Sequence, residues 1–358
     1  MAEETVVRGR HGARWRVVQW ATGNVGSRAL RRVIEHPDLE LVGVWVHGAA
    51  KVGKDAGELA GTAPTGIRAT GRMEDILALR ADCVLYFPHV MNYDEVVRIL
   101  ESGANIITTR TEFQNPATMD PAIRARVEAA CAKGNSSIHG TGSSPGFITE
   151  AMPIVLTSLQ RRLDCLTIYE FAPSESRNSP EMLFGYMGFG SKPDGPNRAI
   201  LDFKRETFSG TLSLIADAIG LPLDEIRATG ALGIARNDVH IIAGTVPQGT
   251  VAATKTTIEG MRDGKPLLRM VANWSVSSDV DTTDGEEWEF RESGWRVVVE
   301  GDCPMKIDIV FPVAPDDYAA MTPGLTAHRP VNMIRYVCEA PAGIRTTVDL
   351  PQVIAQLG

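Results

Sequence analysis

The rhythm of apolar and polar positions changes about 150 residues into the chain. Before that point, short apolar runs alternate with stretches of helical spacing. Val17, Val18 and Trp20 form an apolar run that ends in a turn of small residues. From about Asn24, Val25, Ala29, Leu30 and Val33 recur at helical spacing. Residues 39–46 (LELVGVWV) read as a second strand, 67–69 as a short third and 73–79 as a helix. Residues 82–87 (DCVLYF) are nearly all apolar, the composition of a strand covered on both faces. A helix over 94–100 closes at Gly103, and 104–109 is the next strand. Asp120 and Pro121 then supply an N-cap and a first-turn proline for a helix running to Gly134, and 136–139 begins a further strand. This alternation predicts a doubly wound parallel sheet of the Rossmann kind, with ligands at the C-terminal ends of its strands.

Beyond residue 150 the alternation stops. A helix is expected from 145 to about 161, then a strand over 163–171 and a long loop over 173–197 rich in Gly, Pro, Ser and Met. After a helix over 208–219, apolar stretches at 239–246, 249–259, 267–276, 295–300 and 305–311 are separated by hairpin-like breaks such as Arg262-Asp263-Gly264-Lys265. The second half is therefore predicted to be an α+β domain on a mixed, mostly antiparallel sheet. One apolar face of such a sheet needs cover, and a twin subunit would supply it, so a homodimer is expected. In residues 330–350 a helix (VNMIRYVCEA) and an extended TTVDL are expected to fold back on the first domain. The expected division is a tail over 1–13, a dinucleotide-binding domain over 14–150, a substrate and dimerisation domain over 151–328, and a returning tail over 329–358.

Composition narrows the class. With 358 residues and 44% apolar content, the chain can supply two cores. A net charge of −8, with both signs interspersed, argues against nucleic acid or an anionic membrane as partner. No apolar stretch approaches the roughly 20 residues that span a bilayer, and the N-terminus lacks the apolar core of a signal peptide. The five cysteines are scattered, without a CxxC pair, and the seven histidines show no ligand spacing. No metal site is expected, and the compartment is expected to be cytoplasmic.

The candidate chemistry begins at the first turn, Ala21-Thr22-Gly23-Asn24-Val25-Gly26, which follows GxGxxG except that Ala stands at the first glycine. Strand, glycine turn and helix in that order suit a pyrophosphate, which would lie on Thr22, Gly23, Asn24, Val25 and Gly26. NAD-binding units carry an acid about 20 residues beyond this turn. Here that place reads Val46-His47-Gly48-Ala49-Ala50-Lys51, with cations instead of an acid, which favours tolerance of NADP beside NAD. His47 and Lys51 are the candidates there. Three later loops are expected to converge on the nicotinamide end. They bring Phe87, Pro88 and His89; Thr108, Thr109 and Glu112; and Gly142, Ser143 and Ser144. The methionines and aromatics of SPEMLFGYMGFG suit an adaptable apolar wall.

Taken together, WATGNVG, HGAAKVGKDAGEL, TTRTEF, GTGSSPGF, SPEMLFGYMGFG and PVNMIRYVCEAPAGIRTTVDLP resemble the dihydrodipicolinate-reductase-like NAD(P) oxidoreductases, nearest the branch of 2,4-diaminopentanoate dehydrogenase and the native amine dehydrogenases. The resemblance implies reductive amination of small ketones or aldehydes with ammonia, and the reverse oxidative deamination of primary amines. It implies that Glu112 is the catalytic carboxylate and that Phe147 helps wall the substrate pocket. Tyr169, Phe171, Met182 and Phe184 are further pocket candidates. The branch often has Asn before its Pro-Gly and Trp after it, where this chain has Ser144 and Phe147. The His-His-x-x-Lys and Ser-Gly-Thr stretches of true dihydrodipicolinate reductases are missing. So is the Glu-Lys-Pro of sugar dehydrogenases, since the loop reads Thr111-Glu112-Phe113-Gln114. A reductase of another carbonyl or imine, or an inactive cofactor-binding sensor, stays open at this point.

Overall fold

A computed structural model describes residues 14–357; the expected tail over 1–13 lies outside them. The first half runs β1 (Trp15–Trp20), α1 (Asn24–Glu35), β2 (Leu39–Trp45), α2 (Ala56–Ala60), α3 (Met73–Ala78), β3 (Cys83–Tyr86), α4 (Tyr93–Glu101), β4 (Asn105–Thr108), α5 (Pro121–Gly134) and β5 (Ser137–Gly140). Next come α6 (Met152–Thr157), β6 (Leu163–Pro173), α7 (Arg198–Ala218), β7 (Glu225–Ala235), β8 (Val239–Ile241), β9 (Gly244–Val246), β10 (Val251–Arg262), β11 (Lys265–Ser275), β12 (Val280–Thr282), β13 (Gly294–Gly301) and β14 (Met305–Ile309). The chain ends with α8 (Pro315–Glu339) and β15 (Gly343–Arg345). Among the described residues two compact units result, 14–147 with 323–357, and 148–322.

The first unit holds a six-stranded parallel sheet in the order β15-β5-β4-β3-β1-β2. Alternate side chains feed two cores. Val17, Cys83, Leu85 and Ile107 pack with Ala29, Leu30 and Val33 of α1 and with Val331, Ile334 and Val337 of α8. On the other face, Val18, Trp20, Val84, Tyr86 and Ile106 meet Ile99 and Leu100 of α4 and Val127 and Cys131 of α5. Cover on both faces is why these strands are unbroken apolar runs. The order reverses between β1 and β3, so the crevice that receives a ligand opens between the turn after β1 and the loop after β3.

The second unit holds a seven-stranded sheet in the order β12-β7-β10-β11-β6-β13-β14, in which only β11 and β6 run parallel. Thr256, Ala272, Glu170 and Trp295 are successive cross-strand partners and so share a face. That is the face α7 covers, because Lys204 of α7 bonds Thr256. Tyr169 and Phe171 are out of phase with them and point away from α7.

Several elements depart from the sequence pattern. Residues 67–69 form no strand; isolated bridges pair Trp45 with Thr70 and Asp55 with Arg68. The helix expected from 145 begins only after Gly146, because Ser144, Pro145 and Gly146 have non-helical backbone angles and Gly146 sits at φ +132°; a wider helical turn then leads into α6. α7 begins ten residues before the expected helix, at a cap made by Asn197. The stretch 239–246 is a two-strand hairpin, and β7 was not anticipated.

Candidate active site

The turn after β1 is built for close approach of a ligand to the backbone. A Cβ on Gly26 would lie 2.2 Å from the carbonyl oxygen of Ala21, so only glycine lets α1 start this near β1. Gly23, the residue before α1, is exposed, and a Cβ there would meet nothing within 4 Å. No side chain caps α1, so its first-turn N–H groups are left to a ligand. Ala21, in the place of the first glycine, adopts φ +71°, the left-handed conformation that glycine adopts freely. The fully buried Gln19 braces it by donating from Nε2 to the Ala21 carbonyl at 2.9 Å. Lys51 Nζ donates to the Thr22 carbonyl at 2.7 Å and to Thr22 Oγ1 at 3.2 Å, tying the loop after β2 to the same turn. Lys54 is committed to Glu58, and the exposed His47 lies 6.1 Å from the Trp45 ring. The glycine turn and the uncapped helix N–H groups fit a dinucleotide pyrophosphate, and the lack of an acid after β2 leaves the ribose end open to a 2′-phosphate.

Glu112 stands on a short helical turn, Thr111–Phe113, just past β4. The buried Phe113 fixes that turn from below, and Tyr93 meets its ring edge-on at 6.1 Å. The carboxylate is about a quarter exposed and is gripped by Arg110, with Nη2 to Oε1 at 2.6 Å and Nε to Oε2 at 3.3 Å. Arg110 Nη1 also donates to the His89 carbonyl at 3.0 Å, so the guanidinium joins the loops after β3 and β4. The loop after β5 closes on them. A Cβ on Gly140 would lie 2.9 Å from the Arg110 carbonyl oxygen, and Thr141 N–H donates to the carbonyl of the buried Thr108. Phe87 is buried, with its N–H on the Trp20 carbonyl, while Pro88, Thr109 and Gly142 follow their strand ends on the same edge. The three loops thus touch one another at Glu112, His89 and Gly140.

In the third loop Ser143 bonds Thr326, whereas Ser144 Oγ is buried without a partner. Arg329 donates to Thr141 Oγ1 at 3.0 Å and sits 5.8 Å from the Phe147 ring, which is 36% exposed. Gln19, Arg110 and Arg329 are site residues that pattern reading passed over. Gln19 had a signal, a lone amide inside WRVVQW; the two arginines had none beyond proximity to the motifs.

The remaining pocket candidates, in the second unit, fall in two places. Tyr169 and Phe171 stack with centroids 6.3 Å apart, and Arg291 covers Phe171 at 4.7 Å, on the face turned from α7. Met182, exposed, and Phe184 lie on the turn Glu181–Tyr186, where Phe184 packs over Gly190 and Gly244. No cluster of metal ligands occurs among the described residues. No helix there is long and apolar enough to cross a membrane.

Comparison with known proteins gives the same arrangement. Residues 17–136 match the family model of dihydrodipicolinate reductase, N-terminus, and residues 205–358 match that of the 2,4-diaminopentanoate dehydrogenase C-terminal domain. The chain is 28% identical to an amine dehydrogenase of Streptomyces virginiae, over 95% of this chain and 98% of that one. It is 23% identical to the 2,4-diaminopentanoate dehydrogenase of Acetoanaerobium sticklandii, over 96% and 95%. The solved structure of an amine dehydrogenase from Mycobacterium smegmatis superposes with a TM-score of 0.74 at 17% identity, over 96% of this chain and 97% of that one. The resemblance read from the motifs and the two-domain fold are both borne out.

Proposed function

We infer that the chain is an NAD(P)-dependent amine dehydrogenase, an oxidoreductase acting on CH–NH2 groups. In this reading it converts small ketones or aldehydes and ammonia into primary amines, and runs the reverse oxidative deamination. The observation that carries the site assignment is Glu112, a partly buried carboxylate on the same strand-end edge as the turn that receives the dinucleotide. NAD or NADP, when bound, supplies or accepts the hydride.

The task of the protein groups is to favour the cationic nitrogen species, because an iminium accepts hydride far more readily than a carbonyl. A fixed carboxylate beside the developing positive charge does this electrostatically and can also move a proton during water loss. Arg110 neutralises Glu112 and fixes its plane, gripping Oε1 tightly at 2.6 Å and Oε2 loosely at 3.3 Å. Oε2 is therefore the oxygen with room to accept from a substrate N–H. Lys51 and Gln19 hold the turn in shape for the dinucleotide, and Phe147 offers an apolar wall.

Cofactor consumption with and without ammonium, across a panel of small ketones and aldehydes, tests the reading. Turnover only with ammonium supports amination; turnover without it means carbonyl reduction, and none means a sensor. Glu112→Gln should keep dinucleotide affinity and lower kcat by about 10²-fold or more. A wild-type rate in that variant would overturn the role of Glu112.

The assembly in this reading is a homodimer in which a twin subunit packs on the sheet face turned from α7. Light scattering at micromolar concentration should give twice the chain mass; a monomer refutes it. A cytoplasmic setting accords with five cysteines that form no disulfide.

A further inference from the structure

Beneath α7 in the second unit lies a cavity of about 50 Å³, lined by Ile200, Leu201, Lys204, Leu232, Val251 and Thr254 among others. Lys204 is 2% exposed, which is rare for an ammonium group. Its Nζ donates to Thr256 Oγ1 at 2.9 Å and rests 3.8 Å from the centre of the Trp274 ring. A lysine has three N–H donors, so two have no hydrogen-bond partner among the described residues. No carboxylate among the described residues stands within ion-pairing distance of it. The nearest acid in effect, Glu170, is occupied by the indole N–H groups of Trp274 and Trp295, at 3.1 and 3.4 Å. The other cation on the wall, Lys255, is already paired with Asp284 and Glu286. Thr254, two residues before Thr256 and so on the same face, has a buried hydroxyl with no partner. The cavity therefore has at its polar end a buried cation met by one hydroxyl and one indole ring but by no carboxylate, together with one idle hydroxyl; aliphatic side chains line most of the rest, with Ser191 and Asn197 on its exposed side.

We propose that this cavity binds a small monocarboxylate, with its carboxylate on Lys204 Nζ and Thr254 Oγ1 and its alkyl end against Ile200, Leu201, Leu232 and Val251. Each feature of the wall meets a matching part of such a ligand. An anion compensates the buried ammonium, where an amide or alcohol of equal size leaves the charge unmet. The two lysine protons and the threonine hydroxyl can donate together to two oxygens. A volume of about 50 Å³ accommodates roughly four water-sized groups, which limits the ligand to about two or three carbons. The site stands apart from the reading of Glu112, since it needs neither dinucleotide nor turnover.

The test uses the full chain with methyl-labelled Ile, Leu and Val in a carboxylate-free buffer at neutral pH, titrated with acetate, propionate, acetamide and propionamide. Saturable shifts are expected at the methyls of Ile200, Leu201, Leu232 and Val251 with the two carboxylates and not with the amides. Lys204→Met should weaken carboxylate binding at least roughly tenfold, the size of a lost charge-assisted contact. Thr254→Val, which keeps shape and loses the hydroxyl, should weaken it a few-fold. No saturable response at tens of millimolar, an equal response to the amides, or unchanged binding in folded Lys204→Met would each overturn the proposal.

Discussion

Replacing Lys204 by methionine should make the second unit more stable at neutral pH and should cancel a pH dependence that the wild type carries. Burial pushes the ammonium down from its ordinary 10.5 to about 8, against a smaller upward pull from Glu170. A shift of that size corresponds to about 3 kcal/mol between the two protonation states. The unfolded chain holds its proton up to pH 10.5 and the folded one only up to about 8. Between those values the unfolded state binds more protons, so stability rises with pH. Below pH 8 the full cost of the buried charge is present; it is relieved as pH climbs from 8 towards 10.5. Against this, methionine forfeits the Thr256 hydrogen bond, about 1 kcal/mol, and the ammonium–indole attraction, itself about 1 to 2 kcal/mol. The net gain at pH 7 is therefore small, on the order of 1 kcal/mol. The pH-dependent part is larger and cleaner: the stability difference between wild type and variant should change by about 2 to 3 kcal/mol between pH 7 and pH 10. Urea unfolding followed by tryptophan emission reads it, since Trp274, Trp288 and Trp295 belong to this unit. Other titrating groups cancel in the comparison. A difference that stays flat across that range would show that Lys204 is not charged and desolvated as described.

The dinucleotide turn gives a pair of opposite expectations. Ala21→Gly should stabilise the first unit by about 1 kcal/mol, by relieving a left-handed alanine, with cofactor affinity kept. Gly26→Ala, whose Cβ has no room beside the Ala21 carbonyl, should lose dinucleotide binding; fluorescence titration with NADH and NADPH checks both. Lys51→Met should weaken NAD and NADP alike, because Lys51 holds the Thr22 carbonyl, and a loss confined to NADP would refute that role. Arg110→Lys replaces a fork by a single donor and should lower kcat by about tenfold with little change in cofactor affinity. Burial pushes the His139 imidazole down to about 4, so the folded state resists a proton that the unfolded state takes up from pH 6.5. Stability of the first unit should fall by about 3 kcal/mol as pH drops from 6.5 to 4, and His139→Asn should remove that fall, read by urea unfolding at the two ends.

The first unit was readable because each of its strands is buried on both faces and followed by a turn with strong local chemistry. Asp120 and Pro121 start α5 where an N-cap and a first-turn proline must, and the Gly26 contact enforces the turn after β1. The second unit was harder because its strands are half-buried and its turns less marked. β7, EIRATGALGIA, interleaves alanine and glycine with charged residues, so its inward positions lack the bulky alternation that marks a strand. The start of α7 was missed for a different reason: its first two turns, RAILDFKR, carry charges and an exposed Phe203, and only the Asn197 cap shows where it begins. Tyr169 is set apart from Met182 and Phe184 by phase: it lies on the sheet face turned from α7, whereas they lie on the turn Glu181–Tyr186. A strand residue's face is set by register with its neighbours, and register is a property of the paired sheet rather than of the stretch itself.

The same distinction explains what the sequence could say about Glu112. Its place after β4 follows from the alternation, since the loop after a parallel strand lies on the C-terminal edge of the sheet, the edge that carries the ligand crevice. Its chemical state does not follow, because Arg110 is two residues away along the chain and that spacing is as compatible with divergence as with contact. The fork forms because the short helical turn at Thr111–Phe113 swings Glu112 back toward Arg110 while the His89 carbonyl holds the guanidinium's other edge. A carboxylate already neutralised in this way can release an oxygen to an incoming cation without ever standing as a bare charge in a closed pocket. In the proposed reading an ammonium or iminium has to draw Oε2 away from the looser Arg110 contact, so the strength of that contact sets how readily the carboxylate meets the substrate nitrogen. If Glu112 acts with Arg110 as proposed, preference for the nitrogen substrate over the carbonyl should change in Arg110→Lys even where residual turnover persists.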